Sequence, residues 1–328
     1  MKEPEGSIET EPPKQTYDRD FYAKAFEQAT RAGGRAALRP VRCALVAKEN
    51  CCKTGLALEL ARAGGNEGEI HIFDIDSSAE NTVDYVYPDD KNIFIHRLFD
   101  ETDGSIFHDD NSTDWVGLVD KVSWFVNVLG ERAAEGKVAA VIFDGGSTFL
   151  KWCEFAMSRI LMERENAPID MDSDRFNQAE WRVRNKLFKN TINRINSLPV
   201  SRVFFTFHLK DVKNYVDLGN GTKGLMKIGE KVDWPIDTQR LFSQQIWLNR
   251  YMKEEDEAAG VKADPKLGPN DWAVKATIEE MKGRYTEHLG ETHTVIEVKK
   301  GKVNWTGLPF LTWENGDQPP EDGVDEDE

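Results

Sequence analysis

Four cysteines in 328 residues, none paired at a metal-ligand spacing, give the chain no disulfide framework and no zinc knuckle to fold around. No window approaches the ~18 consecutive apolar residues of a membrane-spanning helix. The first fourteen residues hold four glutamates and three prolines and lack the apolar stretch of a secretory signal. Positive charge is scarce as well: 42 Lys and Arg stand against 58 Asp and Glu, for a formal charge of -16. A surface of that sign repels nucleic acid as a whole, so any polyanion must be met by local basic patches. Cytosolic residence and no membrane partner are expected.

Hydrophobic patterning fills in the rest. Residues 1–16 read as a disordered lead and 17–38 as an N-terminal helix, amphipathic over 17–37. Residues 39–313 form one domain, and 314–328, with eight acids and no Lys or Arg, read as an acidic disordered tail. Strands are expected near 41–47, 69–74 and 92–97, and a long helix near 114–134 precedes a strand over 138–144. Two helices near 148–164 and 177–197 lead to a strand over 202–208. This alternation predicts an α/β fold, with a mainly parallel sheet, helices on both faces and ligands at the C-terminal strand edges. After Trp234 the segments around 245–253, 271–282 and 293–306 read as antiparallel additions. Gly260 to Asn270, rich in Pro, Gly and Lys, reads as an exposed excursion.

Chemistry enters where the first strand ends. Val41-Arg-Cys-Ala-Leu-Val-Ala47 runs into Lys48-Glu49-Asn50-Cys51-Cys52-Lys53-Thr54-Gly55 and then into the apolar run Leu56 to Leu60. Against the phosphate-loop pattern G-x-x-x-x-G-K-[ST], Lys53 and Thr54 match, while Ala47 and Cys52 occupy the two glycine positions. The lysine supplies charge for β/γ-phosphates, the hydroxyl a ligand for Mg²⁺, and the new helix its unpaired N–H groups. A Cβ at Ala47 or Cys52 crowds the phosphates or forces a strained backbone. Adjacent Cys51 and Cys52 serve as small residues at glycine positions, or as a point where oxidation blocks the loop.

Three further strand ends carry polar residues. Val138-Ala-Ala-Val-Ile-Phe-Asp144 is a buried β-branched run closing on a carboxylate, suited to a second Mg²⁺-holding element or simply to a turn. Glu69-Ile-His-Ile-Phe-Asp74-Ile-Asp76 ends in acids; Asp76 either orients a water molecule or, with Ser77, caps the helix entering at Ala79. Glu80 is a second candidate for the water. Arg202-Val-Phe-Phe-Thr-Phe-His208 ends in an imidazole. The glycine- and lysine-rich stretch after it, Lys210 to Lys231 with Tyr215, reads as a long exposed loop, suited to phosphate contact and base stacking or only to solubility. Arg182, Lys186, Lys189 and Asn193 form a stripe opposite Trp181, Phe188, Ile192 and Ile195 on one helix.

In order and spacing these elements resemble the RecA-like P-loop ATPases, especially the small single-domain RecA-type AAA ATPases of phages and archaeal viruses. The resemblance runs roughly from Arg39 to Leu311. It implies a RecA-like P-loop NTPase core that binds ATP and Mg²⁺ and couples hydrolysis to DNA recombination or replication. Residues 47–55 would hold the nucleotide, Thr54 and Asp144 the metal, and Asp76 the attacking water, with His208 sensing the γ-phosphate. The Lys282-Gly-Arg284 spacing on a late strand resembles the element by which RecA- and DnaB-type rings insert cations into a neighbour's site, implying a homo-oligomer. Single-stranded DNA is the implied partner, and the host cytoplasm the location if the chain is viral. Two alternatives stay open. Lys48 stands where ParA/MinD-type dimeric ATPases carry their signature lysine, and the lost glycines suit a binding or assembly module without turnover.

Overall fold

The structure is a computed structural model that describes residues 40–308 except 64, 101, 109, 111, 166–175, 218–222, 253–270 and 282–287. All the described residues fall in the unit Pro40–Glu328. The expected lead, N-terminal helix, excursion at 260–270 and acidic tail lie outside the described residues, as do Lys282 and Arg284.

Apolar runs make the centre of the sheet. β1 (Val41–Ala47) and β4 (Val138–Asp144) are buried along their whole length, and β2 (Glu69–Asp74) is buried after its first residue. Such continuous burial requires cover on both faces. β3 (Ile93–Arg97), β5 (Arg202–Asp217) and β7 (Gln244–Met252) complete a parallel set in the order β7-β1-β5-β4-β2-β3. β8 (Trp272–Met281), β9 (Thr292–Lys299) and β10 (Lys302–Trp305) extend the β7 side by antiparallel pairing. The mainly parallel α/β sheet with antiparallel additions toward the C-terminal end is the architecture expected from the sequence.

Helices cover each face. α1 (Lys53–Arg62) and α2 (Ala79–Val86) pack on one side through Leu56, Leu58, Leu60, Ala79 and Val83. α3 (Trp115–Ala134), α4 (Gly146–Glu165) and α5 (Trp181–Asn196) cover the other through Val122, Phe149, Phe188 and Ile192, against Phe143, Phe205 and Phe207. The Phe188, Ile192 and Ile195 stripe of α5 is buried, while Arg182, Lys186 and Asn193 are exposed, as their spacing requires. No helix among the described residues is long and apolar enough to cross a membrane.

One expectation is corrected. The stretch after His208 is no loop: β5 continues to Asp217 and pairs antiparallel with β6 (Lys223–Val232) from Leu209↔Val232 to Asp217↔Lys223, with an irregularity after Val212. The ribbon stands beyond the sheet, so its alternating Val212, Asn214 and Val216 have no core to face. Its periodicity therefore gave no burial signal.

At the β2–β3 edge His71 and His96 stack 5.2 Å apart and share a 2.9 Å hydrogen bond between Nδ1 of His71 and Nε2 of His96. Burial holds both imidazoles below their usual range, His96 at about 4, although Glu69 opposes the shift at His71. Both are neutral in the fold near pH 7, and the unfolded chain takes up protons first as pH falls. Their contribution is complete above the unfolded value of about 6.5 and is lost progressively as pH falls, with His96 alone losing roughly 2 kcal/mol by pH 5. Urea unfolding at pH 7.5 and pH 5 should show that loss in the parent and a shallower one in His96→Phe; equal slopes would place the acid sensitivity elsewhere.

Candidate phosphate and cation site

Register brings three strand ends level. Ala47 of β1 lies opposite His208 of β5, Phe143 of β4 opposite Phe205, and Asp144 opposite Asp74 of β2. Asp144, Asp76, His208 and the residue 48–55 turn thus meet at one C-terminal edge. This is where a parallel sheet presents ligands, because the helices that follow the strands begin there.

The turn after β1 enters α1 through two left-handed residues. Cys52 enters α1 at φ 54°, ψ 34°, in the left-handed region, and Asn50 has φ 57°. Asparagine tolerates that region; cysteine is strained there. Ala47 is ordinary strand, so of Ala47 and Cys52 only Cys52 carries backbone strain. Gly55 is buried against the Trp305 ring, which a Cβ would meet at 2.6 Å. Leu56 N–H reaches the Cys52 carbonyl at 3.0 Å, whereas the amides before it lie in the first turn, where no intrahelical acceptor exists. Such amides and the positive end of the helix suit an anion.

Lys53 Nζ donates to the Lys48 carbonyl at 3.0 Å, folding its ammonium over the turn. Burial pulls that ammonium below its usual value, against the opposing charges of Asp144, Cys51, Asp76 and Glu49. The Thr54 hydroxyl donates to Asp144 Oδ2 at 2.7 Å. Burial raises the Asp144 carboxyl, and the hydrogen bonds from Thr206 and Thr54 offset only part of the shift. Lys48 points elsewhere, pairing with Glu230 of β6 at 2.5 Å.

Asp76 Oδ2 stands 3.6 Å from His208 Nε2. Burial pushes its carboxyl up, but polar contacts with His208 and Thr148 and the charges of His208 and Lys53 outweigh burial, so it lies below the usual range. Asp76 does not cap α2. That role belongs to Asp74, which accepts from Ser78 N at 3.0 Å and Ala79 N at 3.3 Å. Glu80, the second candidate for water activation, pairs instead with Arg97 at the exposed surface.

Several contributors escaped the sequence reading. Thr206, buried in a phenylalanine-rich strand, donates to Asp144 Oδ1 at 2.6 Å and accepts from Gly145 N at 2.8 Å. Gly145, at φ 101°, lies where a Cβ would meet Asp76 Oδ1 at 2.6 Å. Ser147 accepts from His208 N at 2.9 Å and donates to the Asp233 carbonyl at 3.1 Å, tying α4 to both ends of the ribbon. A lone polar residue inside an apolar run was the only available signal for Thr206.

The donor set fits a hard divalent cation. A hydroxyl and carboxylates meet around one ammonium, and an arriving polyphosphate adds further negative charge that Mg²⁺ would offset. Among the described residues no three His, Cys, Asp or Glu side chains form a metal site by themselves. Thr54 and Asp144 are the residues that would hold it.

The structure is similar to that of the RadB recombinase. The likeness has a TM-score of 0.40 at 10% identity and covers 81% of this chain and 90% of that one. No family model matches the chain, and no curated protein does.

Strain at Cys52 gives a direct test. Cys52→Gly removes the left-handed penalty, worth about 1 kcal/mol, and should raise the urea midpoint; a fall would mean that packing of the Cys52 side chain outweighs backbone relief.

Proposed function

We propose that the chain is a RecA-like ATPase that binds Mg-ATP, hydrolyses it by in-line attack of water and couples the state of the γ-phosphate to DNA. The observation that carries this reading is the 2.7 Å hydrogen bond from Thr54 to Asp144, which joins the phosphate turn to the β4 carboxylate. In this reading the amides of 49–54 and Lys53 hold the phosphates. Thr54 and Asp144 hold Mg²⁺, which when bound neutralises phosphate oxygens. Asp76, ionised and facing His208, accepts a hydrogen bond from the attacking water and orients it. His208 reports the γ-phosphate, since it ends the sheet part of β5 and begins the ribbon. Lys282 and Arg284 act on a neighbour's site in a stacked homo-oligomer.

The ribbon is the DNA-facing element of this reading. Tyr215, Leu225, Met226 and Ile228 are exposed on it. Lys213, Lys223 and Lys231 have no ion-pair partner among the described residues, whereas Lys227 is held by Asp211 and Glu230. Lysines beside an exposed aromatic suit a single strand, through phosphate contacts and base stacking. A module without turnover is the second reading, and the strained Cys52 favours it. The ParA/MinD-type reading requires a nucleotide-dependent dimer, and its signature Lys48 is engaged by Glu230 within the chain.

Mg²⁺-dependent ATP hydrolysis, measured with and without single-stranded DNA across a salt series, tests the proposal. The parent should turn over ATP and be stimulated by DNA at low salt, and Lys53→Ala should fall at least about a hundredfold, as loss of transition-state charge stabilisation implies. Background rates in both leave only the module.

For the ribbon, Lys213→Ala with Lys231→Ala should flatten the dependence of log affinity on log salt by about one per lysine removed; an unchanged slope would move the DNA elsewhere. Arg284→Ala should depress turnover in the oligomer and leave nucleotide affinity intact, whereas a matched loss of both would argue for a role within its own subunit.

A further inference from the structure

Asp144 is 2% exposed, and both its oxygens are taken: Oδ2 by the Thr54 hydroxyl at 2.7 Å, Oδ1 by the Thr206 hydroxyl at 2.6 Å. The proton on Thr206 has only one place to go. Its oxygen already accepts the Gly145 N–H at 2.8 Å, and an amide can only donate, so the hydroxyl proton must point to the carboxylate. Oδ1 is therefore held whatever happens at the phosphate turn, and Oδ2 is the oxygen left to face Thr54. The same hydroxyl pins the Gly145 amide, at the turn whose missing Cβ leaves room for Asp76 Oδ1.

We propose that Thr206 is a positioning residue for the divalent cation: it fixes which oxygen of Asp144 faces the metal and holds the Gly145 turn clear of Asp76. This rests on the reading of the site as one for Mg-nucleotide. Thr206 sits behind Asp144 on β5, so it sets the affinity for the cation and leaves the grip of Lys53 on the phosphates alone. Partners that orient a metal ligand typically change metal affinity by about 10–100-fold when removed.

The experiment titrates Mg²⁺ at saturating ATP and, separately, ATP at saturating Mg²⁺. The proteins are the parent, Thr206→Val, Thr206→Ala and Thr206→Ser, with thermal unfolding as a check on folding and Mn²⁺ binding followed by electron paramagnetic resonance in the presence of ATP. Thr206→Val should need about tenfold more Mg²⁺ for half-maximal turnover, with KM for ATP at saturating Mg²⁺ within about twofold of the parent. Thr206→Ser, which keeps the hydroxyl, should restore the parent's Mg²⁺ requirement.

A folded Thr206→Val with the parent's Mg²⁺ dependence overturns the proposal, and so does a Thr206→Ser as impaired as Thr206→Val, since the lost methyl would then be the cause. Should Thr206→Val not fold, Thr206→Ala decides, because the space it opens admits a water to the two stranded groups. A raised Mg²⁺ requirement at unchanged KM supports the role, and a parent-like requirement overturns it. A parent that binds no ATP in the presence of Mg²⁺ or Mn²⁺ sinks the functional reading itself, a result distinct from a parent that binds and variants that match it.

Discussion

A carboxylate sealed between parallel strands is tolerable only if each oxygen finds a donor, and Asp144 meets that condition with two threonines, one opening α1 and one on β5. Leaving one oxygen bare would cost about 1–3 kcal/mol, more for an ionised group. The requirement ties the start of α1 to β4 through Thr54, and β4 to β5 through Thr206. The order β1-β5-β4 is what makes both bonds possible, since β5 lies between the two strands whose ends must cooperate. Sheet order and site chemistry are in this sense one constraint.

The turn before α1 shows how such a site tolerates poor loop residues. Cys52 accepts a left-handed backbone, and its side chain packs against the apolar cluster under α1 and α2. Gly55 lies where Trp305 of β10 closes on it. At Cys52 the side chain is compatible with the space and only the backbone is strained, whereas at Gly55 the Trp305 ring occupies the space a Cβ would need. The same distinction holds at Gly145, where a positive φ and the Asp76 carboxylate both exclude a Cβ.

Much of this was legible in the sequence because burial on both faces writes a continuous apolar run. β1, β2 and β4 begin and end where those runs do, and the Thr54 hydroxyl reaches Asp144 at the strand ends. The ribbon was not legible. Beyond its base its strands are exposed, so Lys213, Tyr215, Leu225 and Lys227 share one face with nothing to record whether it is in or out. The α2 cap was missed for a different reason: Asp74 and Asp76 are both within reach of the new helix, and only the backbone path decides that Asp74 accepts while Asp76 turns toward His208. Thr206 left only the faint mark of a lone hydroxyl among phenylalanines, which has meaning only once its neighbours on β4 are known.

Alternation along β5 then accounts for the division of labour on that strand. Successive side chains point to opposite faces, so Val203, Phe205 and Phe207 join the cluster under α3, α4 and α5, while Arg202, Phe204, Thr206 and His208 face the α1 side. Arg202 donates to the carbonyls of Ala61 and Ala63 at 2.8 Å, satisfying the C-terminal end of α1, where a cation also complements the helix dipole. Phe204 packs beneath the helix, Thr206 holds the carboxylate near its N-terminal end, and His208 reaches the second carboxylate. Four alternate residues of one strand thus serve α1 from its last turn to its first. A register slip of one residue would place phenylalanines against Asp144 and bury the arginine and histidine in the opposite core. The site's polar contacts and the sheet's apolar packing therefore select the same register, and neither can be changed without the other.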